Sequence, residues 1–185
     1  MESQLIVLVK LLCENFELEL KETFKFCEGL KIPSYRYESK IIYPETTQGV
    51  NFMLDKMGYF LDKTAFMIKG ENLEYLNAVL ASKMSFWYLK QICSTLGADG
   101  LSMSKIFVEK LPVVETHKID STLLKEIENL ASEILESKEA DSNSSIADLE
   151  THLDSLIYQA YGLNENEINL IESEFSTRER EREQK

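Results

Sequence analysis

Hydrolytic or transfer chemistry in this chain would have to start from its carboxylates, thiols and imidazoles. Asp55, Asp62, Glu71 and Glu74 stand close enough in sequence to pair for general acid and base work. They fall, however, at turns and at a helix start, where Asp and Glu are favoured without any catalytic demand. Cys13, Cys27 and Cys93 are odd in number, widely spaced and without a Cys-x-x-Cys pair, so they read as reduced, buried thiols. His117 and His152 lie 35 positions apart in polar helical contexts and add no metal set. No P-loop, Gly-x-Gly-x-x-Gly, His-Glu-x-x-His or Gly-x-Ser-x-Gly is present. The chain reads as a non-enzyme.

The segment that stands out is "STLGADGLSMSKIFVEKLPVV", residues 94–114, in which small and hydroxyl residues run into a short amphiphilic turn and a Leu-Pro. Its Gly97 and Gly100 permit backbone conformations that other residues resist. Taken alone, it is a surface connection in which Ser102 or Ser104 caps the turn that follows.

The elements that position such a loop can be read along the chain. Residues 4–28 carry an apolar helical pattern ending near Gly29, before Pro33. Lys40–Tyr43 is β-branched and aromatic, closed by Pro44, and "VNFML", "GYFLD" and "TAFMIK" follow at hairpin spacing. From Leu73 the period lengthens through Leu76, Leu80, Met84 and Trp87, predicting one helix over 72–91 with Asn72 as N-cap and Trp87 in the core. Leu123, Ile127, Leu130, Ala131 and Ile134 mark a second helix, residues 137–146 a polar break, and Leu149–Ala160 a third helix stopping at Gly162. Asn164 and Glu167 make a capping-box variant for one more. The expected class is α+β: a small, mostly antiparallel sheet with packed helices, followed by a C-terminal helical segment. The expected divisions are an N-terminal helix (1–30), an α+β core (31–114), C-terminal helices (115–175) and a disordered tail (176–185).

With 185 residues and 44% hydrophobic content, the chain can bury one sizeable core. The net charge of −12 is unevenly spread: residues 113–185 carry 7 basic and 18 acidic side chains, and residues 31–112 carry 10 basic and 8 acidic. The second region permits a polyanion partner without demanding one. No apolar run approaches a membrane span, and Glu2 stands where a signal peptide would carry basic residues, so a cytoplasmic protein is expected.

The ordered set "KIIYPE", "GYFLDKTAFMI", "NLEYLNAVLASKMSFWYLK", "STLG" and "SKIFVEKLPV" resembles the TaqI-like C-terminal specificity domain, the target recognition domain of type IIG restriction-modification enzymes and related adenine-specific DNA methyltransferases. "LETHLDSLIYQAYGLNENEINLIE" resembles that family's closing helices, so the likeness spans roughly residues 35–175. The three prolines never adjoin, so the Asn-Pro-Pro-aromatic segment needed to hold a target adenine is absent. The resemblance therefore implies a recognition module working with a methyltransferase domain or subunit elsewhere. S-adenosylmethionine and Mg²⁺ would belong to those catalytic parts, and no cofactor is expected in this chain.

It also implies double-stranded DNA as partner, which gives the hydroxyl-rich loop a use. Ser94, Thr95, Ser102 and Ser104 could donate to phosphates or bases, with Lys105 on a phosphate. In "TTQGVN", Gln48 and Asn51 carry the amide that reads adenine, and Thr46 or Thr47 could meet a thymine methyl. Arg36, between Tyr35 and Tyr37, fits guanine or phosphate, or equally a stacked surface group. The rival expectation is a protein-interaction module whose acidic helices dock on a basic partner or catalytic subunit.

Overall fold

A computed structural model describes residues 25–28, 39–59, 61, 64–97, 100–140 and 146–183. The fold is α+β, with two antiparallel sheets and six α-helices among the described residues. The larger sheet has the order β1 (Lys25–Glu28), β5 (Ala65–Lys69), β2 (Lys40–Pro44), β4 (Met53–Asp55). The smaller has the order β3 (Thr46–Thr47), β7 (Gly100–Ser102), β6 (Thr95–Leu96).

The expected β2 and β5 strands are present, and their alternation sets the faces. Ile41 pairs with Ile68 and with Leu54, and all three are buried against the helices together with Tyr43. Because β4 and β5 are each antiparallel to β2, they run parallel to one another, and residues 56–64 must travel back along the sheet between them. The expected strand "GYFLD" falls in this connection and is not a strand among its described residues. Leu61 within it, and Met67 of β5, are buried outside the main cluster.

The N-terminal helix read over 4–28 is corrected at its end. Lys25–Glu28 is β1, paired with β5. Its four residues, "KFCE", fit the helical period as well as an alternating edge strand, and the free edge of β5 decides between them. Residues 1–24 lie outside the described set.

The single helix expected over 72–91 is two, α1 (Leu73–Ala81) and α2 (Lys83–Ile92). Ser82 breaks them: its backbone is extended, its hydroxyl donates to the Val79 carbonyl at 2.7 Å, and it accepts from the Ser85 N–H at 3.3 Å. Asn72 precedes α1 in the left-handed region (φ 53°) that Asn tolerates, but its side chain makes no cap hydrogen bond. Trp87 is fully buried among Leu76, Leu80 and Met84.

After the small sheet come α3 (Lys105–Val108) and a segment, Leu111–Val114, that is buried throughout. Two buried tyrosines hold its backbone: the Tyr75 hydroxyl donates to the Val114 carbonyl at 2.9 Å and the Tyr161 hydroxyl to the Pro112 carbonyl at 2.8 Å. Burial pushes both phenols well above their ordinary pKa, so they remain donors.

The C-terminal helices are α4 (Ser121–Ala140), α5 (Ala147–Ala160) and α6 (Glu165–Glu183). Asp120 opens α4, accepting from Thr122 and Leu123 N–H. Gly162 (φ 63°) closes α5, with its N–H on the Gln159 carbonyl and the Leu163 N–H on the Tyr158 carbonyl, both 3.0 Å. The expected capping box closes both ways, Asn164 N–H to Glu167 and Glu167 N–H to Asn164. Two expectations are corrected. The polar break begins later, since α4 runs to Ala140. The segment read as a disordered tail is helical to Glu183, because Arg and Glu are good helix formers that need no apolar period to propagate a helix already started. One buried cluster runs from Ile41 to Ile171, so the sheet and the C-terminal helices share a core.

Candidate nucleic-acid interface

The expectation of an irregular loop at 94–105 is replaced by structure. β6 and β7 form a hairpin, and β7 pairs on its other side with β3 from far earlier in the chain. Thr46 faces Ser102, Thr47 faces Leu101, Thr95 faces Leu101 and Leu96 faces Gly100. The Met103 N–H donates to the Glu45 carbonyl at 2.7 Å and the Ser102 N–H to the Ser94 carbonyl at 2.9 Å, extending the pairing at both edges. Residues 46–51 and 94–105, separate in sequence, thus share one small sheet and its flank.

Cross-strand partners share a face. Thr47, Leu101 and Thr95 form the inner row: Leu101 and the following Met103 belong to the main core, and Thr47 is buried. Thr46 and Ser102, with Ser94 opposite in continued register, form the outer row, next to Leu96 and Gly100. The sequence could not separate Thr46 from Thr47, and the register does.

Thr47 is turned to a different task. Its hydroxyl donates to the Gly49 carbonyl (2.7 Å) and accepts from the Gly49 N–H (3.1 Å) and Asn51 Nδ2 (2.6 Å). It shapes the 47–51 turn with a fully used hydroxyl, and its burial withholds the methyl expected to meet a thymine. Asn51 is exposed but commits one N–H to Thr47, leaving its other N–H and its oxygen on the solvent side. Gln48, Ser94, Thr95 and Lys105 are exposed, and Ser102 and Ser104 are half-buried. Ser104 starts α3 through its carbonyl, which accepts from Phe107 and Val108 N–H; its side chain makes no cap hydrogen bond. Arg36 lies outside the described residues. Leu96 and Ile106, exposed apolar residues beside this cluster, were missed. Their signal was an apolar residue flanking a glycine or a lysine inside a hydroxyl-rich stretch.

The other titratable groups named from the sequence, where described, sit in separate structural settings. Asp55 and Lys40 are a buried ion pair. Burial raises the Asp55 pKa, but Lys40 and the N–H groups of Met57 and Gly58 outweigh it and hold the carboxyl below its usual range. With Tyr59 N–H also donating, that carboxylate folds the turn after β4 around Gly58 (φ 80°). Glu74 is half-buried and pairs with Lys56 at 3.0 Å, which lowers its pKa. Cys93 is free and buried, its thiol pushed up to about 11 by desolvation. Among the described residues no group of three His, Cys, Asp or Glu could hold a metal ion. An open groove of about 640 Å³ lies between β4 and the helices, lined by Phe52, Leu54, Ala78, Ile134 and Phe175 with Lys83 and Asp154. There Asp154 accepts from the Lys83 N–H at 2.8 Å, at the start of α2.

The exposed hydroxyl and amide groups thus stand on and beside a small antiparallel sheet packed on a helical body. The model of the TaqI-like C-terminal specificity domain matches residues 10–113, more than half of the chain, and the chain belongs to that family. Among solved structures, the Type IIL restriction-modification enzyme MmeI, in complex with DNA, is similar: TM-score 0.56 at 17% identity, over 77% of this chain and 21% of that one. That likeness is one of fold, and the chain spans about a fifth of the enzyme's length. No curated protein matches. Among the described residues no helix is long and apolar enough to cross a membrane.

Proposed function

We propose that this chain is the DNA-sequence specificity module of a restriction-modification enzyme or adenine-specific DNA methyltransferase. It binds double-stranded DNA and leaves bond making to a methyltransferase domain or subunit, which would hold S-adenosylmethionine, with Mg²⁺ serving any nuclease. The observation that carries the reading is the β3–β7–β6 sheet. It brings the 46–51 turn, with Gln48 and Asn51, beside the β6–β7 hairpin, which carries Ser94 and Ser102 on its outer face and exposed Thr95 on the other, with Ser104 and Lys105 just after β7; these side chains have donors and acceptors suited to base edges and phosphates. Arg36 is proposed as a further contact. The family supports recognition, and the DNA complex of the MmeI enzyme supports the partner.

Selection of the full chain on a randomised duplex library at low salt, with and without a candidate methyltransferase partner, tests this. Enrichment of one short motif is the expected result. Binding without sequence preference in both arms, or none, overturns it. Capture of the methyltransferase without any DNA preference would instead favour docking by the acidic helices.

A further inference from the structure

Leu96 is 44% exposed although it sits in a paired strand. Its neighbour across the hairpin is Gly100, which has no side chain to cover it and cannot acquire one without a backbone shift, since a Cβ there would lie 2.7 Å from the Leu96 carbonyl oxygen. The exposure is therefore built into the hairpin. The register places Leu96 on the same outer face as Thr46, Ser94 and Ser102, so a single large aliphatic group projects from a hydroxyl surface. Lys105 and the exposed Ile106 follow directly.

β6 is an edge strand of the three-stranded sheet and Leu96 stands on its outer face; the distinctive apolar feature that the major groove offers such a side chain is the thymine C5-methyl. Hydroxyls, which donate and accept alike, discriminate poorly between base edges; an aliphatic contact adds a preference they lack. We infer that Leu96 is a specificity-determining residue that packs against the C5-methyl of a thymine in the recognised site, with Ser94 and Ser102 bonding to neighbouring edges. This rests on the DNA-recognition reading above and names one of its determinants.

The test starts from the motif selected by the full chain and replaces each thymine, on either strand, by deoxyuridine, which removes the methyl and keeps the pairing. At one position the wild-type chain loses about three- to five-fold in affinity, the worth of one buried methyl. There Leu96→Ala binds thymine and deoxyuridine alike, and Ile106→Ala keeps the full preference. Leu96→Ser gives the same result as Leu96→Ala and stands in for it should that variant fail to fold. The inference is overturned by a motif without thymine, by no response to methyl removal, by a preference that survives in both Leu96 variants, or by its loss in Ile106→Ala. Failure to select any motif overturns the DNA-recognition reading instead, before a methyl is ever removed.

Discussion

Lys40 and Asp55 show what one pair of side chains can decide. Both are buried, and the carboxylate also gathers the N–H groups of Met57, Gly58 and Tyr59, so the pair joins β2 to the turn after β4. Removing one partner strands a buried charge, and Lys40→Met is expected to lose about 3–5 kcal/mol of stability in urea unfolding. Because the folded Asp55 pKa is lowered, its stabilisation is present above the unfolded value of about 4 and is lost as pH falls below it. Thr47 illustrates the limit of reading residues singly. A threonine in a polar loop has the right groups for DNA, and only its burial and three hydrogen bonds reveal that they are spent inside the protein.

At the scale of elements, the hairpin and the start of α2 make opposite demands. Gly100→Ala places a methyl against the Leu96 carbonyl, and overpacking of this kind costs about 1–3 kcal/mol. The expected readout is local: faster hydrogen exchange at the Ser102 N–H, which donates to Ser94, with the larger sheet unchanged. Asp154, buried beside Lys83 and facing Glu172 and Glu150, has its pKa raised to about 6, mainly by desolvation. Its charged form therefore costs stability, which is fullest below about pH 4 and falls as pH rises through 6, by roughly 3 kcal/mol for a two-unit shift. Asp154→Asn should equal wild type in melting temperature near pH 4 and exceed it increasingly toward pH 7. Elements whose signals are local were legible in the sequence: β2, β5, the capping box at Asn164 and Glu167, and the stop at Gly162. The small sheet was not, because its strands are two or three residues long and pair Thr46 with Ser102, across more than half the described core. The break at Ser82 was hidden for another reason: the apolar period continues unbroken through it, while the serine hydroxyls that cap α2 leave no mark on that period.

For the whole molecule, the striking asymmetry of charge has a partly internal use. Lys83 and Lys90 of α2 pair with Glu172 and Glu174 of α6, the Tyr158 hydroxyl donates to Glu172, and Lys138 of α4 meets Glu150 of α5. The acidic helices are thereby tied to the body that carries the small sheet. In the stretches that form and flank that sheet, 45–51 and 94–110, the cations are Lys105 and Lys110 and the acids Glu45, Asp99 and Glu109, so few phosphates can be neutralised. The full chain alone is expected to show a shallow salt dependence, with log K falling against log salt with a slope of about −2, measured by fluorescence anisotropy on the selected duplex. The joining of β3 to β7 also bears on how such a module can change its preference. On the function proposed above, exchanging 94–105 alone is expected not to transplant a new specificity, because part of the hydrogen-bond ladder that aims those side chains is written in residues 45–47. On that reading the two stretches form one heritable unit, and a chimera that parts them is expected to select neither parent's site.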